Sequence, residues 1–155
     1  MIATKTRRVT TMLVVLVVLF SQFVTSAGAA PKALPASPVT FAILHTNDFH
    51  GQLEPSGSNP GSARVATYVN NVRTAMGADK VVLVDPGDIM QGSLLSNLTQ
   101  GEATIATYNA MDYKVATFGN HEFDWGQTIL SDRTAQANFP FVTANIVVND
   151  TGNCA

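Results

Sequence analysis

Only one cysteine occurs among 155 residues, which excludes a disulfide framework and any zinc module built on several thiolates. Charge is scarce as well. Asp, Glu, Lys and Arg make up 13% of the chain, about half the ~25% usual in soluble domains. No run or stripe of basic residues exists, so a nucleic-acid partner held by phosphate neutralisation is not expected. Long apolar runs are also wanting. The longest, Met12 to Phe20, has nine residues, or thirteen if extended to Val24 across Ser21 and Gln22. A membrane span needs ~20. No internal repeat appears.

What is present begins with an address. Lys5, Arg7 and Arg8 precede the apolar run, and Ala27-Gly28-Ala29 supplies the small-x-small pattern of a signal-peptidase site. Residues 1–29 therefore read as a signal peptide cleaved after Ala29, with a retained membrane anchor as the other reading. Export to the periplasm, cell surface or medium is expected, with no stable membrane span after cleavage. Removal of residues 1–29 leaves six basic and eleven acidic residues, an acidic exported chain. Residues 30–38 hold three prolines and read as an extended linker into a domain over residues 39–155.

Within that domain strands and helices alternate. Val39 to Thr46 is a short apolar, β-branched run and reads as a strand. Ser62 is placed to cap a helix whose Val65, Val69, Val72 and Met76 share one face, ending at Gly77. Val81 to Val84 reads as a strand buried on both faces, stopped by Asp85-Pro86-Gly87-Asp88. Helix over about 102–111, strand over Val115 to Phe118, helix over about 127–137 and strand over Phe141 to Val148 come next. This order predicts an α/β fold with a mostly parallel sheet and flanking helices. Ligands of such sheets gather at the carboxyl ends of the strands. The polar clusters Asn47-Asp48-Phe49-His50, Asp85-Pro86-Gly87-Asp88 and Gly119-Asn120-His121-Glu122 each succeed an expected strand, so three distant clusters should meet on one rim.

Their chemistry suits a cation. Asp48 and His50 are two apart, so in an extended segment their side chains would point the same way. With Asp88 they form an oxygen–nitrogen–oxygen donor set suited to Zn, Mn or Fe. Asn120 adds a neutral oxygen. His121 is left for general-acid or electrostatic work, and Asp124, three residues on, could fix its tautomer and raise its pKa. Each cluster alone also has a purely structural reading, Asp85-Pro86-Gly87-Asp88 being a good turn in its own right. His45 and Asp85 read as structural, and Glu122 as a buried hydrogen-bonding group.

Taken together the blocks are familiar. Ile43-Leu44-His45-Thr46-Asn47-Asp48-Phe49-His50-Gly51 resembles the opening motif of the 5′-nucleotidase family of calcineurin-like metallophosphoesterases. Gly87-Asp88-Ile89-Met90-Gln91-Gly92-Ser93 and Gly119-Asn120-His121-Glu122-Phe123-Asp124-Trp125-Gly126 are similar to its second and third blocks. The resemblance runs over about residues 39–148. It implies part of an α/β/β/α sandwich and a hydrolase of nucleotides or other phosphate esters using two divalent ions, Zn, Mn or similar. By family role Asp48 and His50 would bind the first ion, Asp88 would bridge both, and Asn120 would bind the second. His121, oriented by Asp124, would stabilise the transition state or protonate the leaving oxygen, while a metal-bound hydroxide attacks phosphorus. Asp112-Tyr113-Lys114 stands where the family often has Gly-Tyr-Asp.

The large departure lies beyond the third block. The family completes its metal sites with later histidines, whereas this sequence has His45, His50 and His121 and none after them. The nucleoside-gripping C-terminal domain of the family is not in the sequence either, and Cys154 lacks a partner. A fragment or truncated frame of a longer enzyme is the expectation, with a non-catalytic exported remnant or a thiosulfohydrolase-like relative as alternatives. Asp88 and Asn120 alone make a weak second site, since a catalytic zinc ordinarily keeps three protein ligands. Calorimetric titration of residues 30–155 is therefore expected to reveal at most one firmly held divalent ion. Two tight sites with turnover like an intact enzyme would overturn that expectation.

Overall fold

A computed structural model describes residues 37–146. The expected signal peptide, most of the linker, Cys154 and the last residues of the expected fourth strand lie outside the described residues. Contacts divide the chain into Met1–Pro38 and Val39–Ala155, and the second unit carries everything below. Among the described residues no helix is long and apolar enough to cross a membrane.

Three strands form a parallel sheet: β1 (Ala42–His45), β2 (Val81–Asp85) and β3 (Val115–Ala116), with β2 in the centre. Ile43 pairs with Val82 and Leu44 with Leu83, while Val84 pairs with Val115. Helix α1 (Ser62–Met76) connects β1 to β2. Helices α2 (Leu94–Leu98) and α3 (Glu102–Met111) lead to β3, and α4 (Gly126–Gln136) comes last. Partners in a parallel register point to the same face, so Leu44, Leu83, Asp85 and Ala116 share one side. Val69 of α1, Ile105, Tyr108 and Met111 of α3 and Leu130 of α4 pack into the core on that side. Ile43 and Val142 lie on the other side, along a groove that also includes Val84 and Val115, and are 60% and 51% exposed. Val81 and Leu83 are buried while Val82 and Val84 are half-buried. The expected burial of this strand on both faces is thus corrected: among the described residues, helices cover one face only.

Other expectations shift locally. Ser62 does not cap α1 but begins it, because its hydroxyl donates to the Leu53 carbonyl (2.9 Å) and Gly61 takes the cap position. Helix α2 was not expected. Its leucines face outward, Leu94 at 75% and Leu98 at 74% exposed, while Ser96 is buried against the Met90 carbonyl and Thr104. Five residues with that inverted pattern give no helical period to read. Among the described residues, the expected fourth strand shows one parallel bridge, Phe141 with Ala116. Beyond it the Thr143 hydroxyl donates to the Asn145 side chain (3.0 Å), a local bond of the kind that competes with a ladder. At the end of α3, Asp112 is left-handed (φ 58°), a conformation that favours glycine. Arg73 holds the turn by donating to the carbonyls of Met111 and Asp112.

A polar network sits under the carboxyl end of the sheet. Asp85, 2% exposed, accepts from Thr46 Oγ1 (2.5 Å), Tyr108 Oη (2.8 Å) and the Gly87 amide (2.8 Å). Since Thr46 gives its proton to Asp85, it accepts from Tyr113 Oη (2.6 Å). The two tyrosine rings stack at 3.9 Å. Burial raises the Asp85 pKa to about 6, against the lowering effect of its hydrogen bonds, and pushes Tyr113 to about 12. A carboxyl raised in the folded state binds its proton more tightly than in the unfolded chain. Its contribution to stability is complete below about pH 4 and declines as pH rises towards 6. The unfolding free energy of the wild-type chain relative to Asp85→Asn should therefore fall by up to about 3 kcal/mol between pH 4 and pH 7. Urea titrations of both chains across that range check it, and a flat difference would refute it.

Candidate metal centre at the sheet's carboxyl edge

The loops after β1, β2 and β3 meet at one lip. Backbone bonds tie the first to the second: the Asp48 amide donates to Gly87 O (3.2 Å), His50 to Asp88 O (2.9 Å) and Gly51 to Ile89 O (2.8 Å). The second and third loops touch at their glycines. A Cβ on Gly87, which sits at φ 115°, would lie 2.4 Å from the Gly119 nitrogen. One on Gly119 would lie 2.1 Å from Asp88 Oδ1. Any side chain at either position would force the loops apart.

The donor atoms of Asp48, His50 and Asp88 all lie within 4.8 Å of one another. The expected cause is corrected, however. The segment is not extended, because Asp48 and His50 are both left-handed (φ 49° each), as is Asp88 (φ 55°). Pairing with the second loop bends the chain so that the two side chains converge. His50 Nδ1 lies 2.7 Å from the Gln91 carbonyl, which can only accept, so Nδ1 carries the proton and Nε2 keeps a lone pair. Gln91 was not singled out from sequence, and its role is legible only in three dimensions because its backbone performs it. Two carboxylates and an oriented imidazole fit a borderline divalent cation.

The third loop brings Asn120, exposed, and His121, whose amide donates to Asp88 Oδ1 (2.9 Å). His121 and His50 meet edge to face at 5.2 Å between ring centroids. A 3-10 turn over His121–Phe123 returns the chain so that Asp124 Oδ2 sits 2.7 Å from His121 Nδ1. That bond raises the imidazole pKa above its ordinary value. Glu122 is 1% exposed and hydrogen-bonds to backbone, as its sequence setting suggested. Asp85 lies beneath the lip and His45 is exposed on the open side of the sheet. Neither His45 nor Asp85 joins the donor cluster.

Residues 41–155 match the calcineurin-like phosphoesterase family. Bovine 5′-nucleotidase is 35% identical over 123 residues, covering 72% of this chain and 21% of the bovine protein. The structure of Haemophilus influenzae NAD nucleotidase superposes with a TM-score of 0.66 at 28% identity, covering 74% of this chain and 22% of that one. The Thermus thermophilus sulfate thiohydrolase SoxB reaches the same TM-score at 18% identity, covering 79% and 32%, a likeness of fold alone. The chain thus spans about a fifth or less of the length of the curated relatives it matches.

The glycine contact gives a direct test. Gly119→Ala should weaken Mn(II) binding at least tenfold, because its methyl group displaces Asp88 Oδ1, and should lower stability by roughly 1–3 kcal/mol. Calorimetry and urea unfolding read the two effects. Unchanged Mn(II) affinity would mean that Asp88 is not a ligand.

Proposed function

The chain belongs to the calcineurin-like phosphoesterase family, whose members are phosphoester hydrolases, and from that footing we propose that it is an exported, divalent-metal-dependent hydrolase of nucleotide phosphoesters. The observation that carries the metal reading is the meeting of Asp48, His50 and Asp88 from two loops. The nucleotide reading rests on the relatives, several of which are 5′-nucleotidases. Export rests on the basic, apolar and small-residue order of residues 1–29.

In this reading Asp48 and His50 would hold a first ion through a carboxylate oxygen and Nε2. Asp88 would serve that ion and a second, weaker one, to which Asn120 would offer its side-chain oxygen. Bound divalent metal supplies Lewis acidity, lowering the pKa of water and offsetting charge on the phosphoryl oxygens. The chain's own groups do the rest. Asp124 keeps the His121 Nδ1 proton in place, leaving Nε2 to give a proton to the departing oxygen. The hydrogen bond from Nδ1 stabilises the imidazolium form that makes this transfer. Aligned backbone bonds between the first two loops hold Asp48, His50 and Asp88 in register before substrate arrives.

Of the residues assigned to the two ions, only Asp88 and Asn120 serve the second, so the second site is the weaker of the two. A non-catalytic remnant with one ion is the alternative that this weakness favours. Release of inorganic phosphate from AMP, with and without chelator, separates the two on the longest available form. Chelator-sensitive release is expected. His121→Asn should slow it by roughly 10²–10⁴-fold while leaving metal content intact. Loss of bound metal in that variant would overturn the role given to His121, and release indifferent to chelator would overturn the metal reading.

A further inference from the structure

Glu122 is the buried group to which the reaction above gives no task. Its side chain is 1% exposed, and no ion pair among the described residues includes it. A buried acid without a cationic partner survives only if hydrogen bonds replace its lost water. Here three backbone amides do so. Oε1 accepts from Ile89 (2.7 Å), and Oε2 accepts from both Asp88 (2.8 Å) and Gly119 (2.7 Å). A single oxygen therefore clamps the second loop to the third. Both oxygens act as acceptors, which a carboxylate provides and a carboxamide does not.

The three loops are consequently linked in series, by different means. Backbone bonds join the first to the second. Beyond the Thr117 amide on the Asp85 carbonyl (3.0 Å) at the strand ends, the hydrogen bonds between the second and third among the described residues are those of Glu122 and the His121 amide on Asp88 Oδ1. Without the Glu122 carboxylate, that spacing would hang on an oxygen of Asp88 itself. Asp88 is also left-handed, a conformation unfavourable by ~1–2 kcal/mol for a residue with a side chain. Its amide bond to Glu122 helps hold it there.

We propose that Glu122 is a positioning residue that sets the separation of Asp88 from the Asn120–His121 segment and thereby sets divalent-ion affinity at the lip. This rests on the metal reading given above. Glu122→Gln keeps the shape but turns an NH2 group towards at least one amide donor. Glu122→Asp keeps the charge but is one methylene too short to reach both loops.

Each variant is made in the full chain, and Mn(II) affinity is measured by calorimetry at a temperature where the variant is fully folded, beside its urea midpoint. Both should bind Mn(II) about 10–100-fold more weakly, the usual effect of removing a group that orients metal ligands. A lowered midpoint with unchanged affinity would mean that Glu122 only stabilises the fold and would overturn the proposal. Asp88→Asn separates this from failure of the metal reading. If Asp88→Asn binds as wild type does, the metal reading itself falls. If it loses Mn(II) while the Glu122 variants keep it, only the positioning role falls. Should neither Glu122 variant fold, amide exchange on the wild-type chain decides. Residues 87–90 and 118–121 should gain protection together on Mn(II) loading, and protection of one segment without the other would refute the clamp.

Discussion

The second and third loops pass each other with no room for a side chain between them. Gly87 lies against the Gly119 backbone, and Gly119 against the Asp88 carboxylate. That approach requires a left-handed backbone at Gly87 and the absence of Cβ atoms at both positions. Because the loops touch there, Asp88 comes within reach of groups from both of its neighbours. Its carbonyl receives the His50 amide from the first loop, and its Oδ1 receives the His121 amide from the third. The candidate centre is therefore a consequence of close backbone packing, and Asp88 is its pivot.

Beneath the pivot the sheet end is held rigid by buried polar chemistry rather than by apolar packing alone. Asp85 closes β2, and Thr46 stands just after β1, two residues before Asp48. Their hydrogen bond joins neighbouring strands at the level where the loops depart. Tyr108 on α3 and Tyr113 ahead of β3 complete the network, so helix and strands are referenced to one point. Burial of Asp85 carries a cost in ionisation, seen in its pKa of about 6. Such a network is justified where position matters more than stability.

Much of this was legible in the sequence, and the limits have physical causes. The helix over Ser62–Met76 carries an apolar face at helical spacing, and the central strand over Val81–Asp85 is a continuous apolar run closed by a turn, so both were readable. The short helix at Leu94–Leu98 hides its serine and exposes its leucines, so the usual pattern is reversed. The strand expected after Phe141 was inferred from composition alone, and local side-chain bonding won over the ladder. Asp48, His50 and Asp88 converge as anticipated, yet by a left-handed loop rather than by strand alternation. Residue identity revealed which groups belong together. The way they meet depends on pairing between loops more than thirty residues apart, which local pattern does not encode.

The strained residues carry a further argument. Among the described residues, five other than glycine have positive φ, namely Asp48, His50, Asp88, Gln100 and Asp112. Three of these are the candidate metal ligands. Residues held in this region persist where the surrounding structure fixes their geometry, and Asp and His adopt it more readily than most. The charges agree. Asp48, Asp88, Glu122 and Asp124 gather at one lip, and the ion pairs formed by lysine or arginine among the described residues lie elsewhere, at Asp112 and Glu102. Asp124 pairs with His121 (2.7 Å), while Asp48 and Asp88, without a lysine or arginine partner among the described residues, raise the local attraction for a cation. Left-handed backbone therefore coincides with all three candidate ligands, two of which bring the carboxylates that face the lip.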